Sequence, residues 1–287
     1  MNEQAYYENR ALWEVPTGVD PFDASRYKKV LSLIPADSGS ILDAGCGNGA
    51  FLDFSRRSGY PMIGLDRSSA AVAVARTAFK MPVMQGDASQ LPFADAAFDV
   101  VIALEVLEHL PYGVYEHALS ELERVARRYI IINVPNAEKR LFVTCQYCGT
   151  RYHPAYHLRS FTSDGLRHLF RRFELHRHEV VRSDQIDYTW YPRALKTYHA
   201  IFHPGTPGHV PVPAAARCPA CGYGTGADRA LKGLPGRGYR DRFASLKAGL
   251  LRLLPLRRYT EVVAVYRRCE NGSDADPAAQ APHSHTI

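Results

Sequence analysis

The residues best placed to do chemistry lie in Ile41-Leu-Asp-Ala-Gly-Cys-Gly-Asn-Gly, where Gly45, Gly47 and Gly49 alternate behind an apolar pair and Asp43. Glycine is needed where the backbone turns at positive φ, or where it lies against a ligand with no Cβ between them. A helix expected next, over 50–59, turns its unpaired N–H groups into the same space, so a nucleotide-like ligand is expected. Gly45, Gly47 and Ala50 also satisfy the loose dinucleotide pattern G-x-G-x-x-G/A, which does not choose the ligand by itself. Downstream acids narrow the choice. Asp66 closes the run Met62-Ile-Gly-Leu-Asp, where a carboxylate can accept from both hydroxyls of a ribose. Asp87 closes a third run, in Gly86-Asp87-Ala88, and a fourth, over 98–104, carries Glu105, Glu108 and His109 at its exit.

In this order the motifs resemble the class I (Rossmann-like) S-adenosylmethionine-dependent methyltransferases, over about residues 41–136. The resemblance implies a cofactor-binding set. The loop holding Gly45, Cys46, Gly47 and Gly49 would cradle the methionine part, and Asp43 below it would orient the amino group. Asp66, beside Arg67, would bind the ribose hydroxyls. Asp87 would accept from the adenine amino group while the Ala88 N–H reaches the ring. Backbone near Leu104 and Glu105 would approach the methionine end. Cys46 reads as a small buried filler rather than a nucleophile.

The sulfonium of such a cofactor is already a strong electrophile, so the protein chiefly has to hold the acceptor in line and exclude water. A base is needed only when the acceptor must lose a proton. His109 leads the candidates, against a packing or helix-start role. Glu105-x-x-Glu108-His109 also resembles the metal motif of some ubiquinone-pathway O-methyltransferases and of a small-RNA 2′-O-methyltransferase. Two carboxylates and an imidazole suit a divalent cation, here Mg²⁺.

Cys145-Gln-Tyr-Cys148-Gly and Cys218-Pro-Ala-Cys221-Gly form a second constellation. In such a knuckle both thiolates face one ion and the glycine permits the tight return, so two knuckles complete a tetrahedral zinc site. The separation is longer than in a compact zinc ribbon. Cys145, Cys148, His153 and His157 form the rival ligand set. A cytoplasmic chain, as this one reads, argues against disulfides.

These residues need a scaffold. Strand patterns at 41–45, 61–66, 82–87, 98–104 and 129–134 alternate with helix patterns at 50–59, 69–79 and 113–127. A helix over 163–172 and strands over 173–181 and 259–267 follow. Such alternation predicts an α/β fold, doubly wound, with a mostly parallel sheet and helices on both faces; the resemblance makes that sheet seven-stranded. Ligands then sit beyond the carboxyl ends of the strands, where the Gly loop, Asp66, Asp87 and Glu105 fall. Residues 1–40 read as a helical cap. The core at 41–136 is completed by 161–181 and 259–268. Residues 137–160 and 182–258 read as insertions stapled by zinc into a lid over the acceptor, and 270–287 as a disordered tail.

The chain has 287 residues and a net charge of +6, unevenly spread. Residues 1–136 carry −5, 137–270 carry +13 and the tail −2. A basic half attracts acidic partners, so the expected acceptor is an acidic small molecule, sugar or lipid-linked species. An RNA methyltransferase is the alternative, and a non-catalytic zinc-dependent scaffold keeping the cofactor fold is the second. Aromatics beside Arg193 in Asp187-Tyr-Thr-Trp-Tyr-Pro-Arg193 would line a pocket or form lid core. The basic amphipathic stretch 240–258 would rest on an anionic membrane or pack on the sheet. No apolar run of about 18 residues predicts a membrane span, and the polar N-terminus lacks a signal pattern. A cytoplasmic location is expected.

Overall fold

The computed structural model describes residues 7–8, 10–13, 21–138, 140, 142–145, 147–153, 155–186, 218–221 and 258–269. The 187–193 segment, all of the 240–258 segment but Arg258, the 270–287 tail and most of the 182–258 insertion lie outside the described residues.

A short helix α1 (Arg10–Trp13) and helix α2 (Pro21–Leu33) precede the sheet. Strands β1 (Ile41–Ala44), β2 (Ile63–Asp66) and β3 (Val83–Gln85) alternate with helices α3 (Ala50–Arg57) and α4 (Ser69–Val74). Strand β4 (Phe98–Leu104), a 3-10 turn (Leu107–His109), helix α5 (Val114–Val125) and strand β5 (Ala126–Pro135) follow. A hairpin of β6 (Val143–Thr144) and β7 (Arg151–Tyr152) leads to helix α6 (Ser163–Leu166), then β8 (Phe173–Ile186) and β9 (Arg258–Arg268).

The main sheet has seven strands in the order β3-β2-β1-β4-β5-β9-β8. All pairs from β3 to β5 are parallel, while β9 is antiparallel to both its neighbours. Strand β8 therefore runs in the direction of β5: Pro135 and Val181 both pair with residues at the same point of β9, each opposite Glu261. The chain thus leaves both β5 and β8 at the carboxyl edge of the sheet.

Alternate side chains of these buried strands feed two cores, because successive residues of a strand point to opposite faces. Leu42, Val101, Ile130 and Ile132 pack on one face with Leu122 and Tyr266. Ile41, Val100, Ile102 and Ile131 pack on the other with Val30 and Phe51. Both faces being covered explains why the strands read as continuous apolar runs.

Element ends differ from the sequence expectation. The expected helix over 163–172 stops at Leu166, because the chain then bends to set Phe170 edge-on against Tyr266 at 4.8 Å. The 69–79 helix widens after Val74 into a π-helical turn, Ala75–Phe79, closed by Lys80 at φ 54°. Strand β8 runs five residues beyond 181, with a bulge between Arg182 and Ile186, pairing its end with Arg258.

Candidate cofactor pocket and cysteine cluster

The turn between β1 and α3 carries Gly45, Gly47 and Gly49 at φ 93°, 53° and 81°. A Cβ on Gly45 would lie 2.4 Å from Val106 Cγ2, and one on Gly47 would lie 2.9 Å from the Trp13 ring. The bare backbone is therefore forced both by its dihedrals and by what lies on it. The Gly45 and Cys46 N–H groups donate to the Leu65 carbonyl at 2.7 and 3.0 Å, tying the loop to β2.

Around this loop opens a cavity of about 330 Å³. Asp43, Gly45, Cys46, Gly47, Asp66, Arg67, Asp87, Ala88, Leu104, Glu105 and His109 all line it. Of the residues read from the sequence as cofactor-binding, only Gly49 stands back; it faces Ala75 instead. Asp66 accepts from the Gly47 and Ser68 N–H groups, both at 2.8 Å. Those bonds hold its buried carboxylate in the pocket wall with lone pairs to spare. Asp87 is exposed and accepts from the Ser89 N–H and hydroxyl through one oxygen. Asp43 is buried beneath the loop, and its Oδ1 has no partner among the described residues. Burial, with Asp66 nearby, pushes its carboxyl up to about 8. A cationic ligand group would relieve both costs.

Several lining residues were not singled out in the sequence. Tyr7 and Trp13 cover the mouth: Trp13 Nε1 donates to the Tyr7 carbonyl at 2.6 Å, and Asn48 Nδ2 to the Trp13 carbonyl at 2.9 Å. Glu8 accepts from the Ser69 N–H and hydroxyl and the Ala70 N–H, which pins this cap to the start of α4. Arg26 reaches in from α2 and donates to Glu261 of β9 at 3.2 Å. An aromatic-rich N-terminus was the available signal for Tyr7 and Trp13. None existed for Arg26.

At the far end, His109 lies in the pocket wall with its Nδ1 buried and unpartnered among the described residues. Burial, with His157 beside it, pulls its imidazole down to about 3, so it is neutral. Of the expected cation set, Glu108 and His109 come together, while Glu105 lies beside Glu108 but outside the close group. Glu105, at φ 54°, turns towards Arg26, 3.9 Å away. The groups that do converge are Glu108, His109 and His157, with one donor atom of each within 4.8 Å of the others.

The cysteines form a separate cluster. Cys145, Cys148, Cys218 and Cys221 bring their sulfurs within 4.8 Å of one another. Cys145 lies 3.7 Å from Cys221, and Cys148 lies 3.5 Å from Cys218. Four thiolates at about 2.3 Å from one tetrahedral zinc would stand about 3.8 Å apart. Gly149 takes φ 74°, and its N–H donates to the Cys145 carbonyl at 3.0 Å, which makes the tight return of the knuckle. Hydrogen bonding to Thr150 pulls the Cys148 thiol down to about 6, towards the thiolate a metal needs. His153 and His157 are not in this cluster, so the rival ligand set is not assembled.

With this geometry in place, likeness to known proteins is informative. Residues 42–130 match the family described as Methyltransferase domain. Malonyl-[acyl-carrier protein] O-methyltransferase of Pectobacterium atrosepticum is 36% identical over 105 residues, 35% of this chain and 40% of that protein. Ubiquinone biosynthesis O-methyltransferase of Azorhizobium caulinodans is 38% identical over 84 residues, 28% of this chain and 33% of that protein. The similarity thus spans less than half the length of these relatives. Among solved structures, the [4+2]-cyclase SpnF superposes with a TM-score of 0.51 over 89% of this chain and 86% of its own, at 19% identity. That is a likeness of fold alone.

Proposed function

We propose that this chain, which carries a class I methyltransferase domain, transfers a methyl group from S-adenosylmethionine to an oxygen or nitrogen of an acidic small-molecule, sugar or lipid-linked acceptor. The observation that carries this reading is the single pocket in which the Gly45 turn, Asp43, Asp66, Asp87 and His109 meet. Its chemistry suits the cofactor. Asp43 offers a buried, unpartnered oxygen to the ammonium group, Asp66 offers acceptors to the ribose hydroxyls, and Asp87 an acceptor to the adenine amino group. Bound there, the cofactor would supply an electrophilic methyl carbon. The chain's own task is to orient the acceptor and keep water out.

His109 is the residue assigned to the acceptor's proton. Its imidazole is neutral and its Nδ1 has no hydrogen-bond partner among the described residues, though burial makes it a weaker base than a free imidazole. The relatives named as O-methyltransferases support oxygen as the methylated atom. Arg159, stacked on Tyr115 at 3.8 Å, and Arg140 and Arg151, flanking Phe142, place cations on the segment after β5, which favours an acidic acceptor.

The four cysteines are proposed to hold one structural zinc. It would join the knuckle after β5 to the knuckle after β8, and so tie both insertions over the acceptor end of the pocket. Among the described residues no helix is long and apolar enough to cross a membrane.

The test is incubation of the full chain with methyl-labelled S-adenosylmethionine and fractionated cell extract. Label entering a small-molecule or lipid fraction supports the reading. Label entering only RNA would replace it with the RNA methyltransferase alternative. Cofactor binding with no label transferred to any fraction would favour the scaffold alternative.

A further inference from the structure

Among the described residues, the exposed tyrosine, phenylalanine and tryptophan side chains are Tyr112, Phe142 and Tyr147, at 81%, 46% and 77%. Phe142 precedes β6, and Tyr147 sits in the turn between β6 and β7. Arg140 and Arg151 lie over the Phe142 ring, 5.9 and 5.7 Å from its centroid. Arg140 also donates to the Leu158 carbonyl. The next residue, Arg159, lies over the rings of Tyr115, at 3.8 Å, and Tyr112, at 5.4 Å. A continuous line of guanidinium groups and rings therefore runs from the hairpin to Tyr112.

This line borders the cofactor pocket. Arg159 Nη1 donates to the Leu107 carbonyl at 2.7 Å and to that of Leu110. The Leu158 N–H donates to the Glu108 carbonyl at 2.7 Å. These bonds fasten the segment to the turn whose His109 and Leu110 line the pocket. The charge of the segment is one-sided. Glu138 is the one acid over residues 137–161, and it turns inward to His157 at 2.5 Å. Glu116, at the start of α5, accepts from the Gly113 N–H at 2.6 Å. Arg140 and Arg151 are exposed, with the exposed face of Phe142 between them and water.

We propose that this hairpin, with the adjoining Tyr112, is a docking surface for an anionic phospholipid bilayer: Phe142 enters the hydrocarbon boundary, Tyr112 and Tyr147 lie at headgroup level, and the arginines meet lipid phosphates. Chemistry favours lipid over nucleic acid. Bases stack on open ring faces, and guanidinium groups already lie over the rings of Phe142 and Tyr112. A phenyl group has no polar atom, so its exposed surface gains by leaving water for hydrocarbon. The apolar ring and polar tip of tyrosine suit the boundary between lipid and water. Arginine lays its apolar stem along such a surface and keeps its charged head at the phosphates. Each arginine would strengthen attachment to an anionic leaflet about fivefold. A lipid-linked acceptor would then reach the pocket without leaving the bilayer surface. The docking needs neither cofactor nor turnover, so it stands or falls apart from the proposed reaction.

The experiment is flotation of the full chain with vesicles in a density gradient, without cofactor. The vesicles are phosphatidylcholine alone, or phosphatidylcholine with about one third phosphatidylglycerol. The wild type should float with the mixed vesicles. Attachment should weaken at least about tenfold on pure phosphatidylcholine, and again on raising salt to about 0.5 M. Arg151→Gln should weaken attachment to mixed vesicles about fivefold, and Phe142→Ser about tenfold or more, with melting temperatures near that of the wild type. Should Phe142→Ser fail to fold, Arg151→Gln and Tyr147→Ser, both at exposed side chains, still decide. A wild type that stays at the bottom of the gradient would overturn the proposal. So would wild-type flotation of all three variants, which would put the contact elsewhere on the chain. Binding of fluorescent single-stranded RNA that these variants abolish, with no flotation, would give the surface to nucleic acid instead.

Discussion

Asp43 is an uncomfortable residue of the pocket. It is buried, its Oδ1 is unpartnered among the described residues, and burial next to Asp66 pushes its carboxyl up to about 8. At pH 7 it is therefore largely protonated, and a cationic ligand must displace that proton. Binding of S-adenosylmethionine at pH 7 should release up to about one proton. Calorimetry in buffers of different ionisation enthalpy reads this directly, and Asp43→Asn should abolish the release. Proton-independent binding in the wild type would contradict the placement of the cation. His109 gives a second residue-scale expectation. His109→Ala should lower turnover by roughly 100-fold or more with cofactor affinity nearly unchanged. Single-turnover rates beside cofactor titrations separate the two. An equal loss in both would make His109 a packing residue. The acids and glycines of this site were legible because their spacing is local. Arg26 on Glu261, 235 residues apart, and His157 on Glu138 were not, since nothing in a linear pattern announces which buried charges will meet.

At the scale of elements, the β1–α3 turn and the cysteine hairpin do opposite work. The turn is rigid because Trp13 and Val106 fill the space that side chains would need. Among the described residues the hairpin has only a small core of its own: Tyr152 and Tyr156 packed on Cys145 and Cys218, with Val143. So small a core needs a metal or another staple. Cys145→Ser or Cys218→Ser should release zinc and expose residues 137–160 to proteolysis, while the seven-stranded core keeps its melting behaviour. Metal analysis and limited proteolysis check both halves. Zinc kept in Cys218→Ser but lost in His157→Ala would instead restore the ligand set built on the histidines. The strand–helix alternation was readable because each strand is apolar on both faces. The early end of α6 was not, because Phe170 leaves helical geometry to reach Tyr266, a partner far along the chain.

At the scale of the molecule, one sheet edge gathers cofactor acids, the histidine cluster and the exits of both insertions. Sequence order alone gave the parallel part of that arrangement. The antiparallel β9, inserted between β5 and β8, brings Glu261 beside Arg26 and had no local signature. The concentration of buried carboxyls has a cost that depends on pH. Burial raises Asp43 to about 8 from an ordinary 3.8, and Glu108 to about 7 from 4.5, with His157 opposing the latter. A folded-state value above the unfolded one means that the folded protein holds more protons between the two. Stability from these groups is fully present below about pH 4 and is lost as pH rises through about 7 to 8. Melting of the ligand-free protein should therefore fall between pH 6 and 8, and Asp43→Asn should flatten the fall; a melting temperature that rises over this range would argue against these buried acids. The most direct test of the whole account is calorimetric titration of S-adenosylhomocysteine into the full chain and into Asp66→Ala. The account predicts one site per chain, a loss of about 1–3 kcal/mol in the variant, and no competition by NAD. Tighter binding of NAD, or equal affinity of wild type and Asp66→Ala, would contradict it.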